Sequence, residues 1–243
     1  MIAIIDYGAG NIFSVKNALD YLGLPGELTA DPEKIRKADA LILPGVGAFP
    51  SAMQMLHDSG LTDVIREESH KKPFLGICLG MQMAVVEFAR HVLGWADANS
   101  AEFSETTRHP VIALMPDQMH ITDKGGTMRL GKYLCVLAEN TRSRALYGTA
   151  EISERHRHRF EFQNDCRSEM QEQGMVLAGL SPDGRLVEIV ELSQHPWFVG
   201  AQFHPEFKSR PDRPHPLFYG FVKAALEQMQ GKENMDESVI MYK

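Results

Sequence analysis

Cysteine is scarce in this 243-residue chain: Cys78, Cys135 and Cys166 are all it has. An odd number without paired spacing indicates neither a disulfide framework nor a thiolate zinc site, so no metal is expected. A reducing, cytoplasmic setting fits best. Long apolar runs are missing too. No stretch approaches the ~18 apolar residues that a membrane span requires. The opening run Met1-Ile2-Ala3-Ile4-Ile5 stops at Asp6 without a basic leader, as a first strand does and a signal peptide does not. Positive charge is in deficit, 25 Lys and Arg against 32 Asp and Glu for a formal charge of -7. That balance argues against a general binder of nucleic acid or of anionic membranes. No G-x-x-x-x-G-K-[ST] phosphate loop occurs, and Gly8-Ala9-Gly10-Asn11 lacks the third glycine of a dinucleotide fingerprint. That stretch reads as a tight turn between strand and helix, and no cofactor is expected.

What is present is the composition of an ordinary globular protein, 44% apolar and 23% charged. The first eighty residues alternate short β-rich runs with amphipathic helices, the pattern of a mainly parallel sheet covered on both faces. Strands are expected at Ile2–Ile5, Ala40–Leu43 and Phe74–Ile77. Helices are expected after residue 11, with Val15, Ala18, Leu19 and Leu22 on one face, over Met53–Ile65 and over Gln82–His91. Residues 97 to about 131 read as irregular. Met128–Leu137 and Gly174–Glu191 read as antiparallel, the latter turning at Ser181-Pro182-Asp183-Gly184. Leu217–Met229 closes the chain as a helix. Residues 1–230 thus form a single domain, and 231–243 a polar, fraying tail.

The chemistry concentrates at Gly76-Ile77-Cys78-Leu79-Gly80. An apolar run ends at a thiol flanked two residues away on each side by glycine, and a helix follows at once. This is the sulfur counterpart of the strained elbow that exposes a catalytic serine. A helix N-terminus behind the sulfur favours thiolate. A lone cysteine after a strand is usually an inert core thiol. Here a second strand, Trp197–Phe203, delivers His204-Pro205-Glu206, a base and its orienting carboxylate two residues apart. The combination reads as a Cys-His-Glu hydrolase. The block Glu154-Arg155-His156-Arg157-His158-Arg159 reads from composition as a solvated basic edge. Its alternative is carboxylate recognition by an arginine. Cys135 is expected in the core and Cys166 at the surface.

These motifs resemble class I glutamine amidotransferases over nearly the whole chain. The resemblance has two sources. Residues 1 to about 72, with Ile5-Asp6-Tyr7-Gly8-Ala9-Gly10-Asn11 and Leu43-Pro44-Gly45-Val46-Gly47-Ala48-Phe49, resemble the glutaminase subunit of imidazole glycerol phosphate synthase, an enzyme of histidine biosynthesis. Residues from about 83 to 230 resemble the glutaminase domain of CTP synthase, of pyrimidine biosynthesis. Glu87-Phe88-Ala89-Arg90, Ala98-Asn99-Ser100-Ala101-Glu102-Phe103, Gly126-Thr127-Met128-Arg129-Leu130-Gly131 and Phe203-His204-Pro205-Glu206-Phe207-Lys208-Ser209-Arg210 carry that second likeness. A join within residues 72–83, where the two families share sequence, suggests a chimera.

The resemblance implies a three-layer α/β/α fold of the flavodoxin-like kind. It implies hydrolysis of L-glutamine to L-glutamate and ammonia through a γ-glutamyl thioester on Cys78, with His204 as base and Glu206 orienting it. It places the oxyanion among backbone N–H groups of Leu79 and the Gly45-Val46-Gly47 loop, and the bound glutamine against Leu79, Gln82, Glu102 and Arg159. The partner it implies is an ammonia-accepting synthase, either the cyclase subunit of imidazole glycerol phosphate synthase or the synthetase domain of CTP synthase. No CTP synthesis is expected from this chain alone. CTP synthases carry Gly-Gly-Phe-Gly at the oxyanion loop. The β-branched Val46 here resists positive φ. The alternative is therefore a scaffold or binding protein, folded but catalytically idle.

Overall fold

The computed structural model describes residues 1–8, 10–114 and 128–240, with side chains described as far as Gly231. Ala9 of the first turn, and Gly126 and Thr127 of the resemblance, lie outside the described residues.

Short apolar strands build the parallel part of the sheet. β1 (Ile2–Ile5), β3 (Ala40–Leu43), β4 (Phe74–Ile77) and β12 (Phe198–Ala201) are buried at every position. Near-continuous apolar strands like these need cover on both faces, and alternate residues supply it. Ile2, Ile4, Ala40 and Ile42 pack toward α1 (Ile12–Tyr21) and α8 (Pro216–Ile240), where they meet Val15, Leu19, Leu217, Phe218 and Phe221. Ala3, Ile5, Leu41 and Leu43 pack the other way, toward α2 (Pro32–Lys37), α3 (Phe49–Asp58), α4 (Thr62–Ser69) and α5 (Leu79–His91). Three layers result.

With β2 (Gly26–Thr29), β7 (Arg129–Leu137), β8 (Glu151–His158), β10 (Met175–Leu180) and β11 (Val187–Leu192), the main sheet has nine strands among the described residues. Their order is β2-β1-β3-β4-β12-β11-β10-β7-β8. From β2 to β12 neighbours run parallel, and from β12 to β8 antiparallel. A second sheet joins β5 (Asn99–Ser100), β6 (Pro110–Ala113) and β9 (Glu161–Phe162). The chain leaves β1 for one edge and returns to β3 on its other side. In open α/β sheets, ligands bind beyond the carboxyl ends of strands at such a reversal.

The strands expected at Ile2, Ala40 and Phe74 fall where the sequence places them, as does the hairpin of β10 and β11. Several expectations need correction. The single helix over Met53–Ile65 is two, because the chain turns at Gly60 with φ +69°. β2 and α2 were not anticipated. The segment expected to be irregular contributes β5 and β6. Cys166 is buried, with 7% of its surface exposed. Asp165 is exposed and Arg167 donates to the Gly184 and Arg185 carbonyls, while the thiol packs among apolar side chains of the core. α8 runs past Met229 to Ile240, so the described part of the polar tail is helical. The 72–83 stretch is a continuous strand and helix, β4 into α5.

Candidate active site

Three glycines shape the elbow. A Cβ on Gly76 would lie 2.9 Å from the Gly80 carbonyl group, and one on Gly80 would overlap the Leu43 carbonyl oxygen. A Cβ on Gly45 would overlap the side chain of Leu79. Only bare backbone lets β4, the first turn of α5 and the loop after β3 approach this closely. Cys78 sits between them at φ 53° and ψ -106°, a conformation L-residues avoid. Such a residue carries strain of about 1–3 kcal/mol and persists only where its surroundings determine it. Here its N–H donates to the Ala201 carbonyl at 2.7 Å, and its own carbonyl accepts from Gln82 at 3.2 Å.

β12 brings His204 to the same point. The His204 N–H donates to the Arg155 carbonyl (2.9 Å), and Phe207 stacks on the imidazole at 4.7 Å between centroids. Nδ1 and Glu206 Oε1 are 2.8 Å apart. A carboxylate can only accept, so Nδ1 donates to it and Nε2 is left for Cys78. Burial disfavours the imidazolium, but hydrogen bonding and charge from Cys78 and Glu206 outweigh it and raise the His204 pKa to about 10. Tyr7 Oη donates to the Pro44 carbonyl (2.8 Å), just ahead of Gly45. Burial and the nearby Cys78 raise the tyrosine's pKa.

A cleft of about 630 Å³ opens over the sulfur. Val46, Gly47, Cys78, Leu79, Gln82, Glu102 and Arg159 all line it, so the structure gathers most of the sequence-derived set. Gly45 lies behind, against Leu79, and His204 and Glu206 are buried beneath Phe207. Glu102 Oε2 accepts from the Phe49 N–H (2.9 Å), the first residue of α3, and so holds the helix that follows the Gly45–Gly47 loop. Burial raises the Glu102 pKa, opposed by that bond and by the charge of Arg159. Gly47 takes φ +100°, whereas Val46 stays out of the positive-φ region. As the first residue of α5, Leu79 has no intrahelical acceptor for its N–H.

The basic block is not simply a solvated edge. On β8, Arg155 and Arg157 are exposed while His156 and His158 point inward. His156 Nε2 meets Glu188 Oε2 at 2.6 Å, and His158 Nε2 meets Glu161 Oε1 at 2.8 Å. Arg129 bridges both carboxylates, at 2.8 Å to Glu188 and 3.3 Å to Glu161. Burial works against the Glu188 carboxylate, but His156 and Arg129 bring its pKa down to about 2. Among the described residues, no group of three or more His, Cys, Asp or Glu is arranged to hold a metal ion. No helix among them is long and apolar enough to cross a membrane.

Sequence reasoning missed Asn11, Phe160 and Phe207 in the cleft wall, and Gln202 beside the sulfur. Gln202 had a signal: it lies two residues before His204, just past the end of the strand that leads to it.

The family model for class-I glutamine amidotransferases matches residues 3–224. CTP synthase of Fibrobacter succinogenes is 56% identical over 83% of this chain, and that of Moorella thermoacetica 63% identical over 67%. The matched regions are 35% and 30% of those two proteins, so the chain spans about a third of the length of the curated relatives it matches. The glutaminase domain of Trypanosoma brucei CTP synthase with bound acivicin superposes with a TM-score of 0.79 at 26% identity, covering 93% of each chain. A putative GMP synthase subunit from Thermoplasma acidophilum shares the fold, with a TM-score of 0.64 at 17% identity over 97% of this chain and 96% of its own.

Proposed function

Because the chain belongs to the class-I glutamine amidotransferase family, we propose that its cleft hydrolyses L-glutamine to L-glutamate and ammonia. One observation carries this reading. A cysteine held at positive φ shares one cleft with Glu102 and Arg159, while a buried His204–Glu206 pair lies beneath it.

The raised pKa of His204 leaves its Nε2 holding the proton given up by Cys78, and Cys78 Sγ attacks the side-chain amide carbon. The tetrahedral oxyanion meets the Leu79 N–H and the loop Gly45–Gly47; a single such donor is worth roughly 100- to 1000-fold in rate. His204 returns the proton to the leaving nitrogen, ammonia departs, and a γ-glutamyl thioester remains. Water then attacks the thioester, His204 acting again as base, and glutamate and the free thiol are released. Glu206 orients the imidazole and stabilises its cation. Glu102 accepts from the substrate's α-ammonium and Arg159 pairs with its α-carboxylate.

The ammonia acceptor belongs to a synthase partner, of which the synthetase portion of a CTP synthase is the first choice given the relatives matched. A cytoplasmic setting and a two-source origin of the chain join this proposal. The loop sequence Gly45-Val46-Gly47 supports a source for the first half other than CTP synthase. Measuring glutamate and ammonia release by the full chain and by Cys78→Ala tests the reading. Turnover abolished in the variant supports it. No release by the parent chain, with or without a CTP synthase synthetase domain, overturns it in favour of an idle binding protein.

A further inference from the structure

Behind the sulfur lies a relay of two buried amides that the reaction scheme does not use. Gln202 is fully buried, and its Nε2 lies 3.8 Å from Cys78 Sγ. Gln82 Nε2 sits 2.9 Å from Gln202 Oε1 and 2.9 Å from the Phe160 carbonyl oxygen. A side-chain amide can in principle be turned either way, but here the direction is determined. The Phe160 carbonyl only accepts, so Gln82 must present its NH₂ to it. The second N–H of that same nitrogen then goes to Gln202, which must answer with its oxygen. Gln202 is left with its NH₂ toward the sulfur. Its backbone is held as well, since the Gln202 N–H donates to the Glu188 carbonyl at 2.8 Å.

We propose that Gln202 is a positioning residue for the nucleophile, donating an amide N–H to Cys78 Sγ in an orientation set by Gln82 and the Phe160 carbonyl. A neutral donor stabilises sulfur's negative charge without competing with it for the His204 proton. It also aims one sulfur lone pair, leaving the others for attack. Gln82 then has a task beyond the cleft wall: its nitrogen is committed to the relay, and only its oxygen remains for a bound glutamine.

The inference rests on Cys78 as the nucleophile proposed above. Its test therefore reads the sulfur directly, by alkylation with iodoacetamide, and needs no glutamine turnover. In the full chain, Gln202→Met should slow labelling of Cys78 near neutral pH by about tenfold, as expected for one charge-assisted hydrogen bond. It should also displace the pH profile of labelling upward by about one unit. Gln82→Met, which leaves Gln202 in place but frees its amide to rotate, should move the profile the same way by less. A residue that merely fills space would lower thermal stability and leave the profile where it was. An unchanged profile in folded Gln202→Met overturns the proposal. Should that variant not fold, an unchanged profile in Gln82→Met does so instead.

Discussion

The two halves of the main sheet hold together by different forces. β1, β3, β4 and β12 contain no charged residue and are buried throughout. β8 and β11 bury Glu154, His156, His158, Glu188 and Glu191. The apolar half supplies a rigid frame for backbone geometry, which is what the elbow needs. The antiparallel half supplies fixed charge, and Arg159 follows directly from its edge strand. Cys78 and His204 lie beyond the ends of β4 and β12, the last parallel pair before the direction changes. Position and charge are thus drawn from opposite sides of one seam.

The largest effect should come from the apolar half and touch chemistry alone. Cys78→Ala should lower glutamine turnover by roughly 10⁴-fold or more, with a glutamate-release assay as the readout. Its melting temperature should change little, because alanine keeps a Cβ at the same backbone conformation and gives up only one buried sulfur atom. Surviving turnover, or a collapsed melt, would break the division between the halves.

In the charged half the main cost should fall on stability. Glu188→Gln removes the carboxylate that His156 and Arg129 share. Breaking a buried pair on one side costs about 3–5 kcal/mol, readable in urea unfolding at neutral pH. The Glu188 pKa is depressed to about 2, so its contribution is fully present above the unfolded value near about 4.5 and is lost as pH falls through about 2. Parent and variant should therefore converge in stability across that window. Equal stabilities at pH 7 would show that the network is only decorative.

Legibility follows the same divide. Ile2–Ile5, Ala40–Leu43 and Phe74–Ile77 were readable because each is an unbroken apolar run between turn residues, and a run carries its own boundary. β2 has the sequence Gly-Glu-Leu-Thr at a sheet edge, where nothing forces an apolar pattern. α3 and α4 merged in the reading because helical spacing of apolar residues continues from Met53 to Ile65 across the Gly60 turn. The proposed catalytic side chains were visible because Cys78, His204 and Glu206 lie in short motifs just beyond apolar strands. The ionic network was not. In Arg155-His156-Arg157-His158 the inward and outward residues are all polar, so no apolar alternation marks the buried face. Their partners lie on other strands, Glu188 being 32 residues from His156. Gln202 was hidden because an amide in an apolar strand declares no role until its neighbours are known.

Two smaller effects sharpen the comparison at the cleft. Arg159→Ala removes a charge-assisted contact worth about 1.5–3 kcal/mol, so KM for glutamine should rise at least about tenfold while Cys78 labelling by iodoacetamide is unchanged. An unaltered KM would return Arg159 to the role of a solvated edge residue. Val46→Gly should produce the smallest change, a few-fold rise in turnover number. Glycine lets the Gly45-Val46 peptide turn its N–H to the oxyanion without steric cost. A flat or lower turnover number would mean that the loop is already set with Gly47 alone at positive φ.

The three bare contacts at the elbow bear on how this site can diverge. Gly45, Gly76 and Gly80 register β4, α5 and the loop after β3 by main chain against main chain or against the root of Leu79. The gap between sulfur and loop is therefore a gauge cut into the backbone itself. Residues elsewhere in the cleft are free to drift toward other substrates without resetting it. A methyl group at Gly80 could not be absorbed by repacking, because its nearest obstacle is the Leu43 carbonyl, which has no rotamer to change.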